Sequence, residues 1–231
     1  MPVFRPERAP GFSMHSIILS ISFAFAAAVQ PGPFQAYLIG QTLTNGFRRT
    51  IPAVFAPILS DIPIGTLVLL ILTTVPPLFL LVLQIVGGSF LLYLAYGAYR
   101  SFRSYSQTAV SPSSSVRQTF FKGVLVNLLN PNAYIGWGLV MGPLVAGAWR
   151  QSALTSVLVI AAFYVTMILL MMIILALFGR ARSIGPRFTR VLVGVSAFAL
   201  AGFGLFQIWT GGNALLSMVK MTGFAILAFN L

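Results

Sequence analysis

Only two of the 231 residues, Glu7 and Asp61, carry a carboxylate, and Asp61 lies inside the apolar stretch Ile51 to Leu72. A charge at the centre of a membrane helix costs about 3 kcal/mol on insertion scales, so an acid there seldom lacks a task. Loss of solvation penalises the charged form of a carboxyl. The chemistry Asp61 offers is therefore reversible proton uptake, coupled to the side on which a cavity opens. The alternative is an acid neutralised for structure alone by Arg or Asn side chains, although no basic residue shares its stretch. Pro57 and Pro63 flank it and loosen the backbone, with Ser60 placed to hydrogen-bond the freed carbonyls.

Two other groupings offer binding chemistry. Gln30-Pro31-Gly32-Pro33 and Asn130-Pro131-Asn132 each put proline inside an apolar run, at an offset of 100 residues. Proline removes a backbone donor and clashes with the preceding turn, so both helices must kink or unwind. The unwound carbonyls and the positive end of the following half-helix suit an anionic group such as a carboxylate. Paired breaks of this kind point to a transporter site; the bland reading is proline merely tolerated in a membrane helix. Asn127, Asn130 and Asn132 add donors and acceptors fit for a zwitterion, and Gln30 is the matching polar group in the first half. Asn127 and Asn130 share a helix face, whereas Asn132 lies beyond the proline, where it can cap the next segment.

Membrane spans must position these groups. With 58% hydrophobic and 7% charged residues, the composition is that of an integral membrane protein, and no polar stretch is large enough for a second domain. Crossing a core of about 30 Å takes roughly 20 helical residues. Six segments qualify: Met14 to Leu43, Ile51 to Val75, Leu78 to Tyr99, Thr119 to Ala146, Ser152 to Phe178 and Val191 to Trp209. The sequence thus divides into a first three-helix half (1–99), a Ser-rich loop (100–118), a second three-helix half (119–210) and an apolar tail (211–231). That tail, Ala214 to Leu231, reads as interfacial, or else as a seventh span. An odd number of spans per half makes the halves inverted repeats across the membrane. The expected fold is therefore all-α, with six transmembrane helices as two inverted three-helix repeats and breaks in the first and fourth spans.

The net charge of +12 does not mark a nucleic-acid face, because the cations fall between apolar runs rather than in a patch with exposed aromatics. Ten of the fourteen Lys and Arg residues lie on the side of the Ser-rich loop, which places that loop in the cytoplasm and both termini outside. The absence of Cys removes disulfides, thiol redox chemistry and soft-metal thiolate sites. One His and one membrane acid cannot assemble the usual catalytic triads or carboxylate pairs, so no enzyme is expected. A divalent-metal carrier of related fold is the main rival, but such cations usually want more than one carboxylate, or thiolate and imidazole. A non-transport membrane subunit is the other. No resident metal or cofactor is expected.

Other groups have plainer readings. Gly138 and Gly142 allow close helix approach, Tyr93, Tyr96 and Tyr99 form an aromatic stripe at one interface, and His15 sits near the outer end of the first span. Arg5 and Arg8, the apolar run from Ile17 and Ala26 to Ala28 also match a cleavable signal peptide, but the apolar run continues past that point.

Taken in order, several motifs resemble the LysE/RhtB group of bacterial exporters. They are Pro31-Gly32-Pro33 after a Phe-containing first helix, Gly46-Phe47-Arg48, an acid within the second span and Gly87-Gly88-Ser89-Phe90-Leu91-Leu92-Tyr93-Leu94 in the third. Phe121-Lys122-Gly123 leading to Asn127-Leu128-Leu129-Asn130-Pro131-Asn132-Ala133 completes the set. The resemblance implies a compact six-helix exporter of amino acids or related small metabolites in the bacterial inner membrane. It also implies drive by the proton gradient and assembly as a homodimer. Two departures concern the substrate: Ser60 precedes the acid where that group commonly has glycine, and Pro57 and Pro63 bracket it.

Overall fold

Proline and glycine punctuate the chain into helices, and their positions explain most boundaries. The computed structural model describes the backbone of residues 11–70, 76–104 and 114–229, and the side chains of 14–70, 76–104 and 114–218. Arg5, Glu7, Arg8, the end of the expected second span (71–75), most of the Ser-rich loop (105–113) and the Lys220 side chain lie outside the described residues.

Helix α1, Gly11–Val29, stops where Pro31 and Pro33 cannot donate, and α2, Pro33–Asn45, leaves at a bend of 58°. Gly46 ends α2 at φ 89°, a region side chains rarely adopt, while its amide still bonds the Thr42 carbonyl at 3.0 Å. Helices α3, Phe47–Val54, and α4, Ala56–Leu70, follow with a single irregular residue, Phe55, between them. After α5, Pro77–Arg103, comes α6, Val116–Leu128, capped by Ser115, whose hydroxyl accepts from the Gln118 amide.

The expected fourth span is in pieces: α6, then α7, Pro131–Gly136, a π-helical turn Trp137–Met141 and α8, Gly142–Trp149. Pro131 breaks the first junction. At the π turn the ladder slips by one residue, with the Gly142 amide on the Trp137 carbonyl and Pro143 next, which has no donor. Helix α9, Ala153–Ala181, and a short turn, Arg182–Ile184, lead to α10, Pro186–Phe229. The described part of the apolar tail continues α10 as helix, whose 44 residues extend about 66 Å.

Among the described residues, four helical stretches are long and apolar enough to cross a membrane: Phe47–Leu70, Pro77–Arg103, Ala153–Ile184 and Pro186–Met218. The bent pair Met14–Val29 and Pro33–Asn45 makes a fifth if it is one span. The six-span count therefore exceeds what helix length alone establishes, because no piece between Val116 and Trp149 is long enough by itself.

Packing is reciprocal between the halves. The broken first helix lies on α9, where the Ser20 hydroxyl donates to the Val159 carbonyl at 2.7 Å and Phe23 stacks on Phe163. The broken later helix lies on α3 and α4, with Gly123 against Ala56. Helices α5 and α10 run antiparallel, backbone to backbone: a Cβ on Gly88 would meet the Gly204 carbonyl at 2.7 Å, and one on Gly204 the Gly88 carbonyl at 2.8 Å. Such close approach is how helices gain dispersion energy where lipid removes the hydrophobic drive. Along α9, Val159, Phe163, Met167, Met171 and Leu175 are buried while Val165, Leu169, Ile173 and Leu177 are exposed, a core face backed by a lipid face.

Candidate functional site

The two helix breaks and Asp61 converge on one cavity of about 580 Å3, within the size range of small-solute sites. All the binding residues expected from sequence line it: Gln30, Pro31, Gly32 and Pro33 from the first break, Asn130, Pro131 and Asn132 from the second, and Asn127 from α6. Asp61 and Pro57 line it from α4, whereas Ser60 and Pro63 do not. Apolar walls come from Phe23, Phe163, Met167 and Met171.

Each break leaves a carbonyl that a side chain then satisfies. Pro31 cannot donate to Ala27, and the Gln35 amide does so instead at 2.8 Å. At the second break the Tyr134 hydroxyl donates to the Leu128 carbonyl at 3.0 Å. The helix starts differ. Asn130, rather than Asn132, caps α7, its Oδ1 accepting from the Asn132 amide at 3.1 Å. Gly32 gives α2 no side-chain cap; the first helical bond there is Ala36 to Gly32, so the Phe34 and Gln35 amides present an open positive end beside the cavity.

Asp61 is 6% exposed and is held by neutral donors. The Asn127 amide donates to Oδ1 at 2.8 Å and the Tyr164 hydroxyl to Oδ2 at 3.0 Å, with Trp137 beside the carboxylate. Asn127 also donates to the Ser60 hydroxyl at 2.7 Å, so its donors are committed to α4 and only its carbonyl remains for a solute. Ser60 in turn donates within its own turn, to Ala56 and Pro57, not to the Ala53 and Leu59 carbonyls that Pro57 and Pro63 deprive of donors. Its part is to orient Asn127. Among the described residues no Lys or Arg shares the carboxylate, so the arrangement holds a charge in place without cancelling it.

Sequence reasoning missed Tyr164, Trp137, Gln35, Gln84 and Gln207. Tyr164 carries one of few hydroxyls within a run of 29 mainly apolar residues, the same conspicuousness that marks Asp61. Nothing in spacing pairs it with residue 61. Gln84 and Gln207 line the cavity from α5 and α10, and the buried Gln207 Oε1 has no hydrogen-bond partner among the described residues. Leaving such an atom unpaired costs about 1–3 kcal/mol.

Toward the Ser-rich loop the cavity gives way to a polar cluster. The Gln41 Oε1 accepts from Asn45 at 2.6 Å, from Ser114 at 3.1 Å and from Thr119 at 3.4 Å, while the Tyr37 hydroxyl donates to the Thr119 carbonyl at 2.8 Å. These bonds tie α2 to the start of α6. The Tyr stripe faces outward, with the Lys122 ammonium over the Tyr93 ring, and Gly142 packs toward Leu69 of α4.

A family model described as LysE type translocator matches residues 25–211. A protein of Haemophilus influenzae described as an uncharacterized membrane protein is 24% identical over 200 residues, covering 80% of this chain and 92% of the relative. No solved structure matches. Since the family match runs from within α1 through both breaks to Gly211 of α10, the chain belongs to the LysE type translocator family.

Proposed function

We propose that the protein is a proton-coupled secondary exporter of amino acids or related small metabolites across the bacterial inner membrane. Its six spans form two inverted three-helix repeats. The observation that carries this reading is that both helix breaks and the membrane carboxylate line a single cavity. The uncapped start of α2 suits the carboxylate of a solute, and Asn130, Asn132 and Gln30 offer it further hydrogen bonds. Asp61 exchanges the proton. When ionised it accepts from Tyr164, and when protonated it donates to the same hydroxyl, so its charge state is felt directly in α9.

Reciprocal packing supports the inverted repeat, since each broken helix lies on the second span of the other half and the third spans meet each other. The cavity lies away from the Ser-rich loop and the polar cluster closes the loop side, as alternating access requires of one of its two states. With that loop cytoplasmic and both termini outside, this state faces outward. The working unit is a homodimer with no bound cofactor. A divalent cargo draws no support from the site, because Asp61 already faces N–H and O–H donors, the wrong polarity to share a cation.

The test is counterflow in proteoliposomes under an imposed pH gradient. Wild type accumulates the amino acid above its equilibrium level, and Asp61→Asn falls to the level of empty liposomes while keeping gradient-independent exchange. Full gradient-driven transport by Asp61→Asn would rule Asp61 out as the proton carrier.

A further inference from the structure

Charge is almost absent from the cavity of this highly basic chain. Among the described residues that line it, Asp61 alone is ionisable, and no Lys, Arg, His or Glu is present. Both oxygens of Asp61 already accept, one from Asn127 and one from Tyr164. Gln30, Asn130 and Asn132 bring polar groups from the two breaks, where the charged ends of a zwitterion find partners. Helix α9 brings only apolar groups to the lining. It turns Phe163, Met167 and Met171 to the cavity, four residues apart on one buried face, and Phe23 stacks on Phe163 with ring centroids 5.8 Å apart. Phe203 and Phe206 of α10 add two further rings. A charged side chain against this wall would lose its hydration with no counter-charge in exchange. An apolar one gains about fourfold in affinity for each methylene it buries. Thioethers are flexible and polarizable, so a wall holding two of them adapts to branched and aromatic shapes alike.

We infer that the transported solute is a neutral α-amino acid with a large apolar side chain, and that Phe23, Phe163 and Met167 form the wall that reads this side chain. This substrate class rests on the exporter reading above and narrows it: the ammonium and carboxylate lie toward the breaks and the side chain lies against α9. Alanine leaves the wall uncovered. Lysine and arginine bring a second cation that Asp61, its oxygens engaged and its proton exchanged in transport, does not serve as a standing counter-ion. Aspartate and glutamate bring a second anion, and among the described lining residues there is no cation to meet it.

The test uses the full chain purified in detergent, titrated with the proteinogenic L-amino acids one at a time. Dissociation constants are taken from the rise in melting temperature with ligand concentration. Leucine, methionine and phenylalanine bind about tenfold or more tightly than alanine, while lysine, arginine, aspartate and glutamate give no shift. Met167→Ala lowers the leucine-over-alanine ratio about fourfold or more, and Met167→Leu, which keeps an apolar side chain of similar volume, retains it. The wild-type ranking stands without any variant, and Phe23→Ala, at a half-buried position, repeats the wall test if Met167→Ala does not fold. Tightest binding by an amino acid with a charged or hydroxyl-bearing side chain overturns the inference and leaves the exporter reading standing. Equal binding of leucine and alanine does the same, as does a ratio unchanged in the folded wall variants. No shift with any amino acid removes the amino-acid exporter reading and the substrate class together.

Discussion

At the scale of residues, the site is a carboxylate kept ionisable by donors that do not neutralise it. Tyr164 supplies one of them across 103 positions of sequence. Tyr164→Phe is therefore expected to lower gradient-driven transport several-fold while leaving gradient-independent exchange, both read in proteoliposomes. Unchanged gradient-driven transport would show that the hydroxyl takes no part in the proton step. Asp61 itself was legible from its chemical isolation in the sequence, as were the prolines at both breaks. Its partners were not, because hydrogen bonds between Asp61 and Asn127, or Asp61 and Tyr164, depend on how spans pair, and spacing within one helix carries no such information. Ser60 shows the same limit: its position suggested a partner for freed carbonyls, and only the approach of α6 reveals it as an acceptor for Asn127.

At the scale of elements, the α5–α10 pair is the most tightly set contact. Gly88 and Gly204 each leave no room for a Cβ, whereas Gly97 and Gly202, on the same two helices, have nothing within 4 Å. Gly88→Ala and Gly204→Ala are expected to destabilise the fold by about 1–3 kcal/mol through overpacking. Gly97→Ala and Gly202→Ala should stabilise slightly or do nothing, since alanine is the better helix former. Thermal unfolding in detergent separates the two pairs. Helix ends at Gly46, Ser115 and Ser152 follow from local chemistry that sequence displays openly. The pieces between Asn130 and Trp149 do not: Pro143 was visible, but a proline gives a kink, a π turn or a break according to what packs around it. The length of α10 was likewise hidden, because Lys220 and Gly223 look like stop signals yet a helix passes through both.

At the scale of the whole molecule, the proposed outward-facing state predicts which side of the membrane reaches the cavity. The chain has no Cys, so a single Gln30→Cys reports on the cavity without background. An impermeant maleimide should label it in intact spheroplasts, and labelling in inside-out vesicles should rise when Gln41→Ala removes the acceptor that three side chains share. Labelling from the loop side alone would reverse the orientation. The reciprocal packing that builds this cavity also sets a timetable. Helix α1 meets its partner through Ser20 and Val159, separated by 139 positions, and Asp61 meets Asn127 after 66 and Tyr164 after 103. At a synthesis rate of about 5–20 residues per second, α1 waits roughly 7–28 seconds for α9, and Asp61 roughly 3–13 seconds for its first donor. For that interval the nascent chain holds an acid in the bilayer without the groups that later fix it. The membrane insertion machinery, rather than the fold, must shelter Asp61 until the second half arrives.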